Sequence, residues 1–210
     1  MQTDDPREPI ELHISGSFDD LEQVSMEELP DEILWNGAQV TDDVGFYDEL
    51  IRRYERATPP EAQLQLAKAI LGKSAKLMQQ GHVDESQAAL VLFVGRFHDA
   101  TEPAMENLLA QALLGLGFAL WQAKKYDESI AQYDALFARF HDFTDANLAE
   151  PLATAMMNKA MTLELLKRNE DAERCYNELI ACWNGTKDQA TLNIVGAAFE
   201  ARSRLKRAET

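Results

Sequence analysis

The chain has 210 residues, with 20 Lys and Arg against 36 Asp and Glu, giving a formal charge of −16. Its 46% hydrophobic and 27% charged residues are the composition of a globular protein with material for a core. The acidic balance argues against nucleic acid, whose phosphates need clustered Lys and Arg. No stretch reaches the ~18 apolar residues of a membrane span, and Met1–Pro9 is acidic where a secretory signal is basic. Two cysteines make no disulfide framework. These features predict a cytoplasmic protein with no membrane or nucleic-acid partner.

From Met1 to Leu50 there are 15 acidic residues and one basic residue, Arg7, whereas Ile51–Thr210 carries 21 acidic and 19 basic. Residues 1–41 therefore read as an acidic arm, partly extended or disordered. Ile10, Leu12 and Ile14 alternate with polar residues as in a short strand, and Ser25-Met26-Glu27-Glu28 has the form of a helix capping box. Asp5-Pro6, Gly16, Pro30 and Asn36-Gly37 read as turn formers.

Residues 42–210 are a repeat. Arg96-Phe97-His98-Asp99 recurs 43 residues on as Arg139-Phe140-His141-Asp142, and Val83-Asp84-Glu85-Ser86 recurs at the same step as Tyr126-Asp127-Glu128-Ser129. Tyr47-Asp48-Glu49-Leu50 returns after two such steps as Tyr133-Asp134-Ala135-Leu136, and after a third as Tyr176-Asn177-Glu178-Leu179. The copies are placed at about 67–109, 110–152 and 153–195. Val44–Tyr54 supplies only a second helix at one end and Thr191–Ala208 only a first helix at the other.

Each copy reads as two helices. Leu109, Leu113, Leu116 and Leu120 share one face of a helix that begins near Pro103. A break at Lys124-Lys125-Tyr126 leads to a second stripe, Ile130, Tyr133, Phe137 and Phe140. One such pair cannot bury its apolar face alone, so the pairs must stack. The predicted fold class is all-α, an α-solenoid of stacked antiparallel helix pairs.

The residues that recur resemble the tetratricopeptide repeat. Gly117, Leu120, Ser129 and Tyr133 in the second copy, and Ala160, Leu163, Ala172 and Tyr176 in the third, match that family's small, Leu, small and Tyr positions. Ser74, Leu77, Ser86 and Leu90 match less closely in the first copy, and the 43-residue step is longer than the family's usual one. The resemblance covers roughly Asp42 to the C-terminus. It implies a right-handed superhelix whose first helices line a concave face holding an extended or helical peptide. The lysine, asparagine and arginine clamp with which one variant of the family holds a C-terminal carboxylate is absent, because Leu71, Ala75, Gly115, Thr154 and Asn158 stand at those positions.

No catalytic motif is present. There is no Gly-rich phosphate loop, no H-E-x-x-H and no G-x-S-x-G. His98-Asp99 and His141-Asp142 read as loop residues whose Asp caps the next helix rather than as a metal site, since spacing places no third ligand. His13 and His82 have no partner that the sequence specifies. Cys175 and Cys182 are seven apart on one helix, too far for a disulfide, and read as half-buried thiols. The expectation is a protein that is not an enzyme and has neither cofactor nor metal.

A binding surface is better marked. Beside its core stripe, the helix from Ala104 to Gln122 carries a second apolar line, Leu114, Phe118 and Trp121. The matching positions include Leu71 and Met78 in the first copy and Met157 and Met161 in the third. These residues predict a groove for an apolar or amphipathic segment of another protein, with Gln111, Gln122 and Thr154 setting its register. The alternatives are that longer helices bury both stripes, or that the acidic arm fills this groove in its own chain or in a neighbour's. An enzyme or an enzyme-associated subunit ranks last.

Overall fold

Pro59 and Glu102 hold extended backbone, and Pro60 and Pro103 take the first turns of the helices that follow. The same start recurs at every 43-residue step: Pro60, Pro103, Ala146 and Gln189 each begin a helical element. The computed structural model describes residues 25–140 and 146–208, which are all-α and contain no strand among the described residues. The helices are α1 (Asp31–Val40), α2 (Gly45–Tyr54), α3 (Pro60–Gln79), α4 (Val83–Phe97), α5 (Pro103–Gln122), α6 (Tyr126–Arg139), α7 (Ala149–Leu165), α8 (Asn169–Trp183) and α9 (Gln189–Ala208). Single 3₁₀ turns at Met26–Glu28 and Ala146–Leu148 precede α1 and α7. Each helix packs on the next, and α3, α5, α7 and α9 also pack on one another in that order.

The connection within a pair is stereotyped. Gly81, Lys124 and Lys167, one per copy, have φ of 81°, 61° and 62°. The amides that follow them, of His82, Lys125 and Arg168, donate to the carbonyls of Leu77, Leu120 and Leu163, each at 2.9 Å. This is the left-handed ending that closes a helix by a six-to-one bond. Only the first copy uses glycine there, so the two lysines carry the Cβ strain of that conformation.

The core runs along the whole series. Leu66, Leu109 and Leu152 recur at the repeat step and are fully buried, as are Phe93, Leu136 and Leu179 on the second helices. Polar ties recur too. Arg53, Arg96 and Arg139 stand 43 residues apart. Each donates to backbone carbonyls earlier in the chain: Arg53 to Met26 and Glu27, Arg96 to Glu55, and Arg139 to Ala100. Lys73 reaches Asp48, Lys159 reaches Asp134 and Arg202 reaches Asn177, each pair 25 residues apart.

Several expectations need correction. The boundary at 41/42 falls between α1 and α2, which pack together, so residues 25–41 belong to the helical body. Asn36-Gly37 is no turn. Gly37 lies inside α1, where a Cβ would sit 2.4 Å from the Phe46 ring. Val44–Tyr54 is accordingly the second helix of a pair whose first is α1. The copies start at Pro60 and Pro103, seven residues ahead of the expected phase, because the proline pair Pro59-Pro60 and the dipeptide Glu102-Pro103 set the helix starts. α5 is 20 residues long with a mean hydropathy of 1.2 over its most apolar window, so one helix does have the length and composition of a membrane span. Half of that window is buried within the protein, which accounts for its composition. The expected strand at Ile10–Ile14 and the loop at His141–Asp145 lie outside the described residues.

At the start of the described chain a second cluster forms from Leu29, Leu34, Phe46, Tyr47 and Leu50. Arg53 ties it together, pairing with Asp31 and Glu49 at 2.7 Å each. Tyr54 Oη donates to the same Asp31 carboxylate. The hydrogen bond from Arg52, with Arg53 beside it, holds the Glu49 carboxyl below its ordinary pKa against the opposing effect of burial. Burial, with Asp31 second, lifts the Tyr54 phenol to about 12.

Three outcomes follow. Lys124→Gly relieves the left-handed strain and should raise stability by about 1 kcal/mol in thermal unfolding. Leu120→Ala, in the buried core, should lower it by ~2–5 kcal/mol in the same measurement. Because the Glu49 pKa is depressed in the folded state, its stabilisation is present above the ordinary carboxylate range and is lost as pH falls through the lowered value. Amide exchange in α1 and α2 should therefore speed up in acid before that in α5, and Glu49→Gln should remove this early step.

Candidate groove on the first helices

The groove begins with helix faces. On α5 a second apolar line lies beside the buried one, so Leu113, Leu116 and Leu120 enter the core while Leu114, Phe118 and Trp121 turn toward the side shared with α3 and α7. Phe118 and Trp121, three apart on the helix, stack with ring centroids 5.9 Å apart and an interplanar angle of 14°. That stack is a rigid apolar wall standing partly in solvent.

Two adjoining hollows share Phe118 and Asn158. The first, about 400 Å³, runs between α3, α5 and α7 over Leu71, Ala75, Met78, Gln111, Leu114 and Thr154. Its floor is reached by Ser86, whose hydroxyl donates to the Ser74 carbonyl at 2.8 Å. The second, about 280 Å³, is lined by Phe118, Trp121, Tyr133, Asn158, Met161 and Leu165. Met161 and Leu165 are half exposed, at 51% and 50%.

The structure thus brings together Leu71, Met78, Gln111, Leu114, Phe118, Trp121, Thr154 and Met161. Gln122 is exposed at the end of α5 and lines neither hollow. Met157, 43 residues after Leu114, is partly buried and packs against the core as Leu71 and Leu114 do, and it lines neither hollow. Tyr133, Asn158 and Leu165 were not among the expected groove residues. Leu165 stands one repeat step after Gln122, so the periodicity marked its place although its apolar character was overlooked.

Polar groups bound the groove. Gln111 donates to Asn107 at 2.5 Å, and Asn107 in turn donates to the Asn147 carbonyl at 3.1 Å. Toward α9 the apolar line ends, because Glu164 follows Trp121 by one step and accepts from Tyr176 Oη at 2.5 Å. Arg204, one step after Met161, lies 3.4 Å from the same carboxylate. Within the second hollow, Tyr133 is fully buried and its hydroxyl has no hydrogen-bond partner among the described residues. Burial raises its phenol pKa, while Ser129 and Asn158 act in the opposite direction.

Other features carry less chemistry. Another hollow, about 450 Å³, lies at the helix ends between Thr58, Pro60, Arg96 and Glu102. Arg96 there is committed to the Glu55 carbonyl at 2.8 Å and to Gln63 at 3.3 Å. His98 and Asp99 pair at 3.0 Å in full solvent. No group of three His, Cys, Asp or Glu residues is placed to hold a metal among the described residues. Cys175 is buried, its thiol raised to about 11 by burial, whereas Cys182 is exposed.

Tyr133→Phe removes a buried hydroxyl that has Ser129 and Asn158 beside it but no hydrogen bond of good geometry. It should leave stability unchanged or raise it by about 1 kcal/mol in chemical denaturation, against the usual loss for a buried polar deletion. Comparison with family models, with curated proteins and with solved structures found no match to this chain.

Proposed function

We propose that the helices stack as an α-solenoid of antiparallel pairs with the right-handed twist of tetratricopeptide-like repeats, and that the protein is a non-catalytic scaffold. Its groove holds an apolar or amphipathic segment of another protein by side-chain burial. The observation that carries this reading is the pair of joined hollows, walled by the Phe118–Trp121 stack and floored by Met161 and Leu165. An exposed apolar trough with flexible Met side chains suits adaptable helix or peptide capture. Asn158 and Thr154, on the groove face of α7, offer hydrogen bonds to a ligand backbone. A reducing compartment such as the cytoplasm suits the exposed thiol of Cys182. A second reading has the acidic N-terminal residues occupying this groove.

Binding selections with a library of amphipathic helical peptides test the assignment. Selected peptides should shield Trp121 from acrylamide quenching, read as the difference between the wild type and Trp121→Phe. Trp121→Ala should weaken their binding by ~2 kcal/mol, the scale of a buried aromatic anchor. Lys125→Ala, at the helix end, should have little effect. Peptides that bind equally well to Met161→Glu and Phe118→Glu would show that the groove is not the site. A Trp121 shielded in the free chain and freed by deleting residues 1–24 would favour the second reading.

A further inference from the structure

The outer face of α9 is built like a core face. Phe199 stands one repeat step after Met156, two after Leu113 and three after Ile70. Those three are buried at 6%, 7% and 2% exposure, while Phe199 is 42% exposed. Gly196 follows Ala67, Ala110 and Ala153, all fully buried, yet a Cβ on Gly196 would meet nothing within 4 Å. In the earlier copies each first helix is covered by its own second helix: α3 by α4, α5 by α6 and α7 by α8. Among the described residues α9 packs on α7 and α8, and its face for a following second helix stays open.

The sequence holds a segment with the pattern of such a second helix. Tyr47, Leu90, Tyr133 and Tyr176 are the inward residues of the second helices, and each stands 13 residues before the next element starts, at Pro60, Pro103, Ala146 and Gln189. Phe18 stands 13 residues before Asp31, where α1 starts. Around it, Gly16-Ser17-Phe18-Asp19-Asp20-Leu21 parallels Gly45-Phe46-Tyr47-Asp48-Glu49-Leu50 of α2. Residues 16–24 therefore carry a second-helix pattern.

We propose that residues 16–24 of one copy dock as a helix on the Gly196–Phe199 face of α9 in another copy, joining copies head to tail. Charge favours it. Residues 1–24 hold seven acidic residues and one basic residue, while beside Phe199 on α9 stand Arg202, 4.9 Å above its ring, and Lys206, which pairs with Glu173. An α9-to-α9 contact would instead set like charges together. Reach favours a second copy over the same one. Ser25 follows the segment directly, and Arg53 fixes Met26 at the far end of the series from α9. A helix-to-helix step is about 10 Å, so the steps from α3 to α9 leave a tethered segment short of its own α9. The contact is heterologous, so it propagates instead of closing at a dimer.

Sedimentation velocity over a concentration series on the full chain tests this. The wild type should show masses that rise past the dimer. Phe199→Glu, which has no second-helix face, and Leu21→Asp, which has no docking segment, should each remain monomeric alone. Mixed in equal amounts they should form a one-to-one dimer and nothing larger, because one intact contact remains. A variant that had merely lost its fold could not restore that dimer. Trp121→Ala should associate as the wild type does, since the groove is a separate face. A wild type that stays monomeric throughout, or a mixture that stays monomeric, would overturn the proposal. So would association lost in Trp121→Ala but kept in Phe199→Glu, which would put the segment in the groove.

Discussion

The close approach of helices at a few small residues is the constraint on which the other contacts depend. A Cβ on Gly117 would lie 2.4 Å from the Tyr133 ring, and one on Gly72 would lie 2.6 Å from the Tyr47 ring. Leu90 makes the same approach to Gly115 at 3.3 Å. A large side chain from a second helix therefore enters a gap that only a small residue on a first helix leaves open. Ser129 fixes the depth of entry, donating to the Gly117 carbonyl at 2.8 Å, as Ser86 does to Ser74. With the helices locked at these points, the remaining faces of α3, α5 and α7 are set at one spacing and share one side. The groove is a consequence of that locking.

How much was legible in the sequence depended on whether a residue had one role. Leu109, Leu113 and Leu120 recur at helical spacing because burial alone selects them, and the limits of α5 and α6 follow from Pro103, from Lys124-Lys125 and from the periodicity. Glycine was harder to read. Asn36-Gly37 has the composition of a turn, yet Gly37 is small because Phe46 needs the space. Nothing local distinguishes a glycine chosen for positive φ from one chosen for close approach. The arginine ties show a different limit. Arg96 and Arg139 were visible as a repeated motif, but their target is a backbone carbonyl, which has no sequence signature. Arg53, in the same register, escaped notice because its neighbours differ from those of the other two.

The apolar line on α5 shows how a groove differs from a core in composition. Both stripes on this helix are apolar, so its sidedness by polarity is weak and the pattern alone could not assign the second stripe. The neighbours decide it. Leu114 has α3 and α7 close enough to be partly covered, while Phe118 and Met161, beside Trp121 and Leu165, stay open to solvent. Exposed apolar area of this kind is a liability for solubility, which the net charge of −16 offsets by favouring hydration.

A repeat fixes positions, but a position's role follows from its neighbours. At the step shared by Ser74, Gly117, Ala160 and Ser203 the residue is always small, and the first three are buried against a second helix. The fourth is exposed on α9, where its hydroxyl donates to the Phe199 carbonyl at 2.8 Å for want of a neighbouring helix. The neighbouring step runs Leu77, Leu120, Leu163 and then Lys206, which pairs with Glu173 at 2.8 Å. The last helix therefore exchanges its apolar residue for a charged one near its C-terminal end but keeps Phe199 and Gly196 in the middle. A helix adapted only to meet water would have replaced Phe199 as it replaced the leucine. Phe199, 42% exposed beside the exchanged position, is the core-like residue on which the proposed contact at this face rests.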